Sequence, residues 1–508
     1  MLLEKLLQIL PRAEVRGPAA REITGLSYDS RRVAAGGLFL ALRGARQDGH
    51  RFIGAAVGQG AAAVVLESFA PGIPEGVTQI RVSDSREALA LLGACFYDYP
   101  ARKLRLIGLT GTNGKTTTSY LIEALLQAAG IKAGVLGTIE YRCGDRTWPA
   151  PVTTPESLDL HRLLAEMVRE GATHVVMEVS SHALEQGRCR GLEFEIGLFT
   201  NLTQDHLDYH RDMESYYQAK AKLFWHYLTG TKARPEPLAV INRDDPFGER
   251  LWTEVGGSRQ DFSLQRDTAY QALEIRSGFR GNEVRVRTPR GIYEVHSPLL
   301  GRHNVYNLLA AWAVGEALGL PEETIRRGLG ALQRVPGRME LVPNPKGLAI
   351  LVDYAHTPEA LRFVLESLRE LTSHKIITVF GCGGDRDATK RPHMGQIAGA
   401  LSHLAVITSD NPRTEDPLHI IGEIETGLLA GRHCRYDPGS LDRLPDRPGY
   451  CVIPDRRQAI ARAVHWAGSD EVLLIAGKGH ETYQLAGEQV LFFDDRLEAQ
   501  KAAEADLV

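Results

Sequence analysis

The chain has 508 residues, too many for one hydrophobic core, and the usual size of a folded unit divides it into about three domains. Apolar residues make up 43% and charged residues 24%, as in ordinary water-soluble globular proteins, and a net charge of −4 gives no reason to expect a nucleic-acid or membrane-binding surface. The six cysteines (Cys95, Cys143, Cys189, Cys382, Cys434 and Cys451) form no CxxC pair, so neither a zinc site nor a disulfide framework is indicated, and a reducing cytoplasm suits them.

The opening MLLEKLLQILPRAEV sets Glu4 and Lys5 among leucines and meets Pro11, which reads as an amphipathic helix rather than a signal peptide. No stretch approaches the roughly 20 apolar residues that span a bilayer. Short apolar strands follow at GLFLAL (37–42) and AAAVVLE (61–67), then a helix over REALALLGACFYDYP that ends at Pro100.

A second unit opens with LTGTNGKTTTSYL (109–121). The run Leu104, Leu106, Ile107, Leu109 suits a buried strand, and Tyr120, Leu121, Ala124, Leu125 and Ala128 recur at helical spacing. The segment between them is therefore a strand-to-helix turn, where free N–H groups and the positive end of the helix dipole favour an anion. Gly111, Thr112, Asn113, Gly114, Lys115, Thr116 and Thr117 form a Walker-A-like phosphate loop, with Lys115 placed for terminal phosphates and the Thr116 hydroxyl for Mg²⁺. One departure stands out: the general pattern has glycine where this chain has Leu109, and the glycines here are Gly108, Gly111 and Gly114. A nucleoside triphosphate is the expected ligand.

Strands HVVMEVSS (174–181) and PLAVINRDDP (237–246) continue this unit, which alternates strands and helices to about residue 335. A third unit begins after RVPGRME with strands LAILVDYA, KIITVFGCGG, LAVITSDNPR and EVLLIAGKGHE. Alternation predicts an α/β fold of three domains with parallel sheets: a smaller N-terminal α/β domain (1–98), a central P-loop ATPase-type domain (99–335) and a C-terminal Rossmann-like domain (336–508). In such sheets ligands bind beyond the carboxyl ends of the strands. Polar clusters stand there at Glu178-Ser180-Ser181-His182, Asp353-Tyr354-His356, Gly383-Asp385-Arg386, Asp410-Asn411-Arg413 and Lys478-His480-Glu481.

Glu178 is placed to order Mg²⁺ beside the phosphate loop, although a glutamate closing a strand is also what a solvated charge looks like. TNLTQDHLDYH (200–210) supplies Asp205, His206, Asp208 and His210, a density of ligand types that points to a second metal or catalytic site. Lys220 and Lys222, on the helix MESYYQAKAKLFWHYL, read by themselves as lysines on a wet helix face. Asn304 and Asn307 lie one turn apart at the start of an apolar helix and suit either a base or ribose contact or helix capping.

TGTNGKTT, MEVSSHAL, TNLTQDHLDYH, YQAKAKLF, HNVYNLLAA, DYAHTPEAL, GCGGDRDATKRP, TSDNPRTEDP and AGKGHETYQ resemble, in order and spacing, the motifs of the Mur ligases. LSYDSRRVAAGGLFLALRG near the start extends the likeness over essentially the whole chain, and the glycine pattern noted above is the family's own. The resemblance implies an ATP-dependent amide ligase of peptidoglycan precursor synthesis, working in the cytoplasm as a monomer through an acyl phosphate. The branch it looks most like adds the third amino acid to UDP-N-acetylmuramoyl-dipeptide. By the same resemblance the three domains bind, in order, the uridine diphosphate, ATP and the incoming amino acid.

Residue roles follow from the motifs. Thr116 and Glu178 are implied ligands of one Mg²⁺, and His206 with a carbamylated lysine of a second; that lysine is Lys220, present as N6-carboxylysine, with Lys222 the less favoured candidate. Ser27, Ser30, Gln47, Asp48 and Gly49 are expected near the uridine diphosphate, and Thr153, Thr154, Ser180 and Arg188 near the muramoyl-peptide. Asn304, Asn307, Arg338 and Asp353 match the family's nucleotide contacts. DNPR (410–413) resembles the version in members that add meso-diaminopimelate, whereas lysine-adding members lack the arginine. Diaminopimelate carries one carboxylate more than lysine, and a guanidinium grips a carboxylate with two parallel hydrogen bonds. Arg386, Asp410, Asn411, Arg413, Gly477 and Glu481 are the expected amino-acid pocket. Rival readings are the lysine-adding homologue, a folylpolyglutamate synthetase (which needs no additional N-terminal domain), a nucleotide-driven switch or motor, and a nonenzymatic nucleotide-binding scaffold.

Overall fold

The computed structural model describes residues 1–44, 47–229 and 236–505. They divide into two compact units, residues 1–271 with 306–328 and residues 272–305 with 329–508. Among the described residues no helix is long and apolar enough to cross a membrane.

In the first unit, an N-terminal sheet runs in the order Glu14–Arg16, Thr78–Arg81, Ala63–Leu66, Leu38–Leu40, Leu26–Ser27, with every neighbour parallel except the first. Its core gathers Leu3, Leu6, Leu38, Leu40, Val65, Leu89 and Leu92. The predicted opening helix is only Leu3–Leu7, because Pro11 disfavours helical backbone at the residue before it and the chain turns first.

The central sheet of this unit places Ala133–Leu136, His174–Glu178, Arg105–Thr110, Ile196–Phe199, Leu238–Asn242 and Ser258–Ser263 side by side and parallel. Apolar runs such as LIGLT and HVVME are buried throughout, as parallel strands covered on both faces require. Arg105–Thr110 has His174–Glu178 on one side and Ile196–Phe199 on the other. The loop that leaves it is therefore flanked by the loops carrying Glu178 and Thr200.

In the second unit, Ala349–Asp353, Val472–Ala476, Ile376–Phe380, Leu404–Ile407 and Gly449–Val452 are neighbours in that order, all parallel. Four polar clusters predicted at strand ends thus leave one edge of one sheet. The expected alternation of strands and helices fails at Tyr270–Gly278, Gly281–Thr288 and Gly291–Ser297, three successive strands of which the last two pair antiparallel. The sequence carries the reason: Val284 and Val286 are buried while Glu283 and Arg285 are exposed, a two-residue period that suits a hairpin with one wet face.

Candidate active site

The phosphate loop is built by backbone geometry. Gly111 (φ 142°) and Gly114 (φ 86°) adopt conformations that L side chains avoid, and a Cβ on Gly111 would stand 1.9 Å from Thr200 Oγ1. Gly114 precedes the helix Lys115–Ala128, so the free N–H groups of its first turn face the loop. Neighbouring loops brace the turn: Asn113 N donates to Asn201 Oδ1 (2.9 Å), Thr200 Oγ1 donates to Asn113 O (2.7 Å) and Thr112 N donates to Asn201 O (2.9 Å). Lys115 Nζ donates to the carbonyls of Gly111 and Thr112, each at 2.8 Å, folding its charge over the cradle. Asn307 meets the same loop, since its Oδ1 accepts from Thr118 Oγ1 (3.2 Å) and would lie 2.4 Å from a Cβ on Gly114.

Glu178 is not a solvated charge. It is buried, accepts from Thr116 Oγ1 (3.1 Å), and receives both the N–H and the hydroxyl of Thr138 (3.1 and 3.0 Å). A carboxylate and a hydroxyl oxygen side by side at the mouth of a phosphate loop are the hard donors that Mg²⁺ takes, so the residues fit that ion. Thr138 Oγ1 contacts Thr153 Oγ1 at 3.1 Å, and Thr154 Oγ1 donates to Glu178 O (2.9 Å) and accepts from Ser180 N (3.0 Å). Arg188 NH1 donates to Thr154 O (2.9 Å), and Ser180 caps the short helix Ser181–Glu185. Thr153, Thr154, Ser180 and Arg188 therefore form one connected patch beside Glu178.

The two candidate lysines part company. Lys222 reaches the surface and pairs with Glu185 at 2.5 Å. Lys220 is 2% exposed, 4.6 Å above the Tyr216 ring, and its Nζ donates to Gly111 O (2.8 Å), a carbonyl it shares with Lys115. Burial, and then the nearby charge of Lys115, hold its amine well below the usual lysine range. The wet-face reading is thus corrected for Lys220: small and aromatic neighbours on Met213–Lys222 turn that side inward.

His206 has left-handed backbone (φ 55°) and lies 3.6 Å from Asp205, with its ring 5.0 Å from that of His182. His210 is buried and turned to Ser181 Oγ (2.8 Å), and burial lowers it to about 4. The side chain of Asp208 lies outside the described residues. No three His, Cys, Asp or Glu side chains among the described residues gather closely enough to hold a metal. A lysine ammonium cannot be a ligand.

In the N-terminal sheet, Ser27 closes the strand Leu26–Ser27, and residues 41–44 and 47–49 come after its parallel neighbour Leu38–Leu40. Ser27 Oγ donates to Asp29 O (2.8 Å) just before the short turn Ser30–Arg32, and Asp48 caps Gly49–Phe52. Gly49 is required there, because a Cβ would stand 2.7 Å from Leu42 O. Gln47 O accepts from Gly44 N at 3.0 Å. Both segments leave the carboxyl edge of adjacent strands, as the ligand rule anticipates.

In the second unit, Asp353 is buried and accepts from Met339 N (2.7 Å) and Ala355 N (2.8 Å), beside the Arg338 guanidinium over the Tyr354 ring at 5.3 Å. Burial raises its carboxyl, an effect that the charge of Arg338 opposes. Asn304 Nδ2 donates to Leu300 O (2.7 Å). The cluster formed by residues 410–413 and 477–481 interlocks: Asn411 donates to Glu481 (2.9 Å), Lys478 Nζ donates to Asn411 Oδ1 (3.2 Å) and lies 3.1 Å from Glu481, and a Cβ on Gly477 (φ 114°) would stand 2.7 Å from Asp410 Oδ2. Arg413 has left-handed backbone (φ 53°), with its NH1 donating to Gly384 O at 2.6 Å. Its own N–H and C=O are taken by Leu485 O (3.0 Å) and Gly487 N (2.7 Å). Arg386 is exposed on the neighbouring loop.

Sequence reasoning passed over three groups. Thr138 holds Glu178, but it follows its strand with no motif around it. Thr200 and Asn201 brace the phosphate loop and were legible only as part of TNLTQDHLDYH. Arg456 and Asp495 form an ion pair with both side chains 0% exposed, joining two segments that carry no glycine-rich or metal-like signature.

The chain resembles known proteins along its length. The model "Mur ligase family, catalytic domain" matches residues 22–97, "Mur ligase middle domain" residues 109–315 and "Mur ligase, glutamate ligase domain" residues 337–479. A UDP-N-acetylmuramoyl-L-alanyl-D-glutamate--2,6-diaminopimelate ligase from Geobacter metallireducens is 50% identical over 502 residues, covering 99% of this chain and 98% of that protein. The protein of the same name from Geobacter sulfurreducens is 48% identical over 499 residues, 98% of each. A solved structure under that name has a TM-score of 0.69 at 32% identity, covering 100% of this chain and 99% of the other. The three family models together span most of the chain and a relative 50% identical covers it almost end to end: the chain belongs to the Mur ligase family.

Proposed function

We propose that the chain is the ATP-dependent ligase joining meso-diaminopimelate to UDP-N-acetylmuramoyl-L-alanyl-D-glutamate, a cytoplasmic monomer of three domains bounded at 98/99 and 335/336. The observation that carries the choice of amino acid is the Asp410–Arg413 loop, where Asp410, Asn411 and Glu481 offer acceptors for ammonium and Arg413 is held for a second carboxylate. A pocket for lysine would leave that guanidinium without an anion, which disfavours the lysine-adding reading.

The chemistry suits the residues. A carboxylate repels a nucleophile, so the acceptor's glutamate oxygen first bonds to the terminal phosphorus of ATP as the bond to ADP breaks. The neutral amine of diaminopimelate then forms a C–N bond at the acyl carbon and sheds a proton to solvent. Collapse of the tetrahedral adduct breaks the C–O bond and releases phosphate. Lys115 swings from the loop carbonyls to the terminal phosphoryl oxygens, whose charge it offsets during transfer. Mg²⁺ held by Thr116 and Glu178 would supply further charge neutralisation there. Asn304, Asn307, Arg338 and Asp353 are assigned to the nucleotide, Ser27, Ser30 and Gln47 to Gly49 to the uridine diphosphate, and Thr153, Thr154, Ser180 and Arg188 to the muramoyl-peptide.

Lys220 is assigned the carbamate. Its buried surroundings favour the uncharged amine, the form whose nitrogen bonds to the carbon of CO2 with loss of a proton. The product is an anionic oxygen ligand that would join His206 around a second Mg²⁺. Mass spectrometry of the product formed from UDP-muramoyl-dipeptide, ATP and equal lysine and diaminopimelate tests the function: the diaminopimelate adduct is expected to dominate, and a dominant lysine adduct would refute the assignment.

A further inference from the structure

Behind the amino-acid pocket, Arg456 opens the helix Arg456–Trp466 with its side chain 0% exposed. Its Nε and NH2 donate to the two carboxylate oxygens of Asp495 at 2.8 and 2.7 Å, a bidentate pair in which Asp495 occupies the first turn of the helix Asp495–Ala505 and gains from that dipole. The guanidinium has donors to spare. NH2 also reaches Ala476 O (3.0 Å) and NH1 reaches Ser409 O (3.5 Å). These are the carbonyls immediately before Gly477 and Asp410. Asp410 and Glu481 are the next negative charges acting on Arg456.

We propose that Arg456 is a positioning residue for the amino-acid substrate, fixing from behind the two loops that present Asp410 and Gly477. Two features make the coupling tight. No side chain fits at 477, since a Cβ there would stand 2.7 Å from Asp410 Oδ2, so the two loops approach each other closely at this point. Asn411 accepts from Leu485 N (2.9 Å) and donates to Glu481, so a shift of residue 410 is passed on to the remaining acceptors of the pocket.

The inference rests on the assignment of Asp410, Gly477 and Glu481 to the amino-acid pocket, so its test includes a reference for that assignment. Arg456→Ala would strand a buried carboxylate and endanger folding, so the paired replacement Arg456→Met with Asp495→Leu removes both charges at similar volume. Arg456→Lys keeps the charge with fewer donors. With the full chain, KM for diaminopimelate is expected to rise about tenfold or more in the paired variant and a few-fold in Arg456→Lys, while KM for ATP stays within about twofold and the melting midpoint is retained. Unchanged KM for diaminopimelate in Arg456→Lys, or a parallel loss in both KM values and in melting midpoint, overturns the proposal. Arg413→Ala measured alongside separates the two layers: if it too leaves the diaminopimelate KM untouched, the pocket assignment itself fails.

Discussion

The phosphate loop and the proposed amino-acid pocket solve opposite problems. The first is local: seven consecutive residues running from the end of one strand into the first turn of one helix, using backbone N–H groups and a helix terminus that any sequence of that shape would offer. The second is assembled from loops after three strands, with Gly383 and Gly384, Asp410 to Arg413 and Gly477 to Glu481 spread over about a hundred positions and locked by side-chain bonds. The contrast teaches where specificity resides. A triphosphate looks the same to every such loop, whereas discrimination between two amino acids requires donors and acceptors fixed by distant parts of the chain.

Substitutions can break this contrast. The largest effect after Lys115 is expected at Lys220, where alanine should lower turnover by about 10² to 10³-fold, on the scale of losing one charge-stabilising group, while Lys222→Ala stays within about twofold because its ion pair is at the surface. Carbon-13 NMR after exposure to labelled bicarbonate checks the cause: a carbamate signal should survive Lys222→Ala and vanish in Lys220→Ala. Arg413→Ala comes next, with selectivity for diaminopimelate over lysine expected to fall about 30- to 150-fold, the worth of about 2–3 kcal/mol in a charge-assisted bond; competition kinetics would read it.

A smaller effect concerns pH. Burial lowers His161 to about 4 from its ordinary value of 6.5. Between those values the unfolded chain binds a proton that the folded chain refuses, so stability falls as pH drops, with a slope up to about 1.4 kcal/mol per pH unit for this group. His161→Phe should flatten the denaturant midpoint between pH 6.5 and 4, and an unchanged slope would assign the acid sensitivity elsewhere.

The same contrast explains what could be read from residues alone. The strand before Gly111, the helix after it and the place of Thr116 in that helix's first turn follow from apolar spacing and backbone physics. The parallel strands of the second unit were legible as continuous apolar runs, and the polar residues at their ends as loop chemistry. Lys220 was not, because ten residues of mixed aromatics and lysines do not reveal which amine turns inward; only the resemblance pointed to it. The hairpin of Gly281–Ser297 shows the two-residue period plainly, yet it was absorbed into an expected alternation of strands and helices. Thr138 and the pair of Arg456 with Asp495 act through tertiary placement and left no local signature.

The central claim is that the Gly111–Thr117 loop delivers the terminal phosphoryl group of ATP to a carboxylic acid. Phosphate release in the presence of Mg²⁺, UDP-muramoyl-dipeptide and diaminopimelate measures it directly, with Lys115→Ala as the partner experiment. Release that depends on both organic substrates and falls by about 10²-fold or more in the variant is the expected result; release indifferent to the acceptor, or equal in the two proteins, would contradict the account.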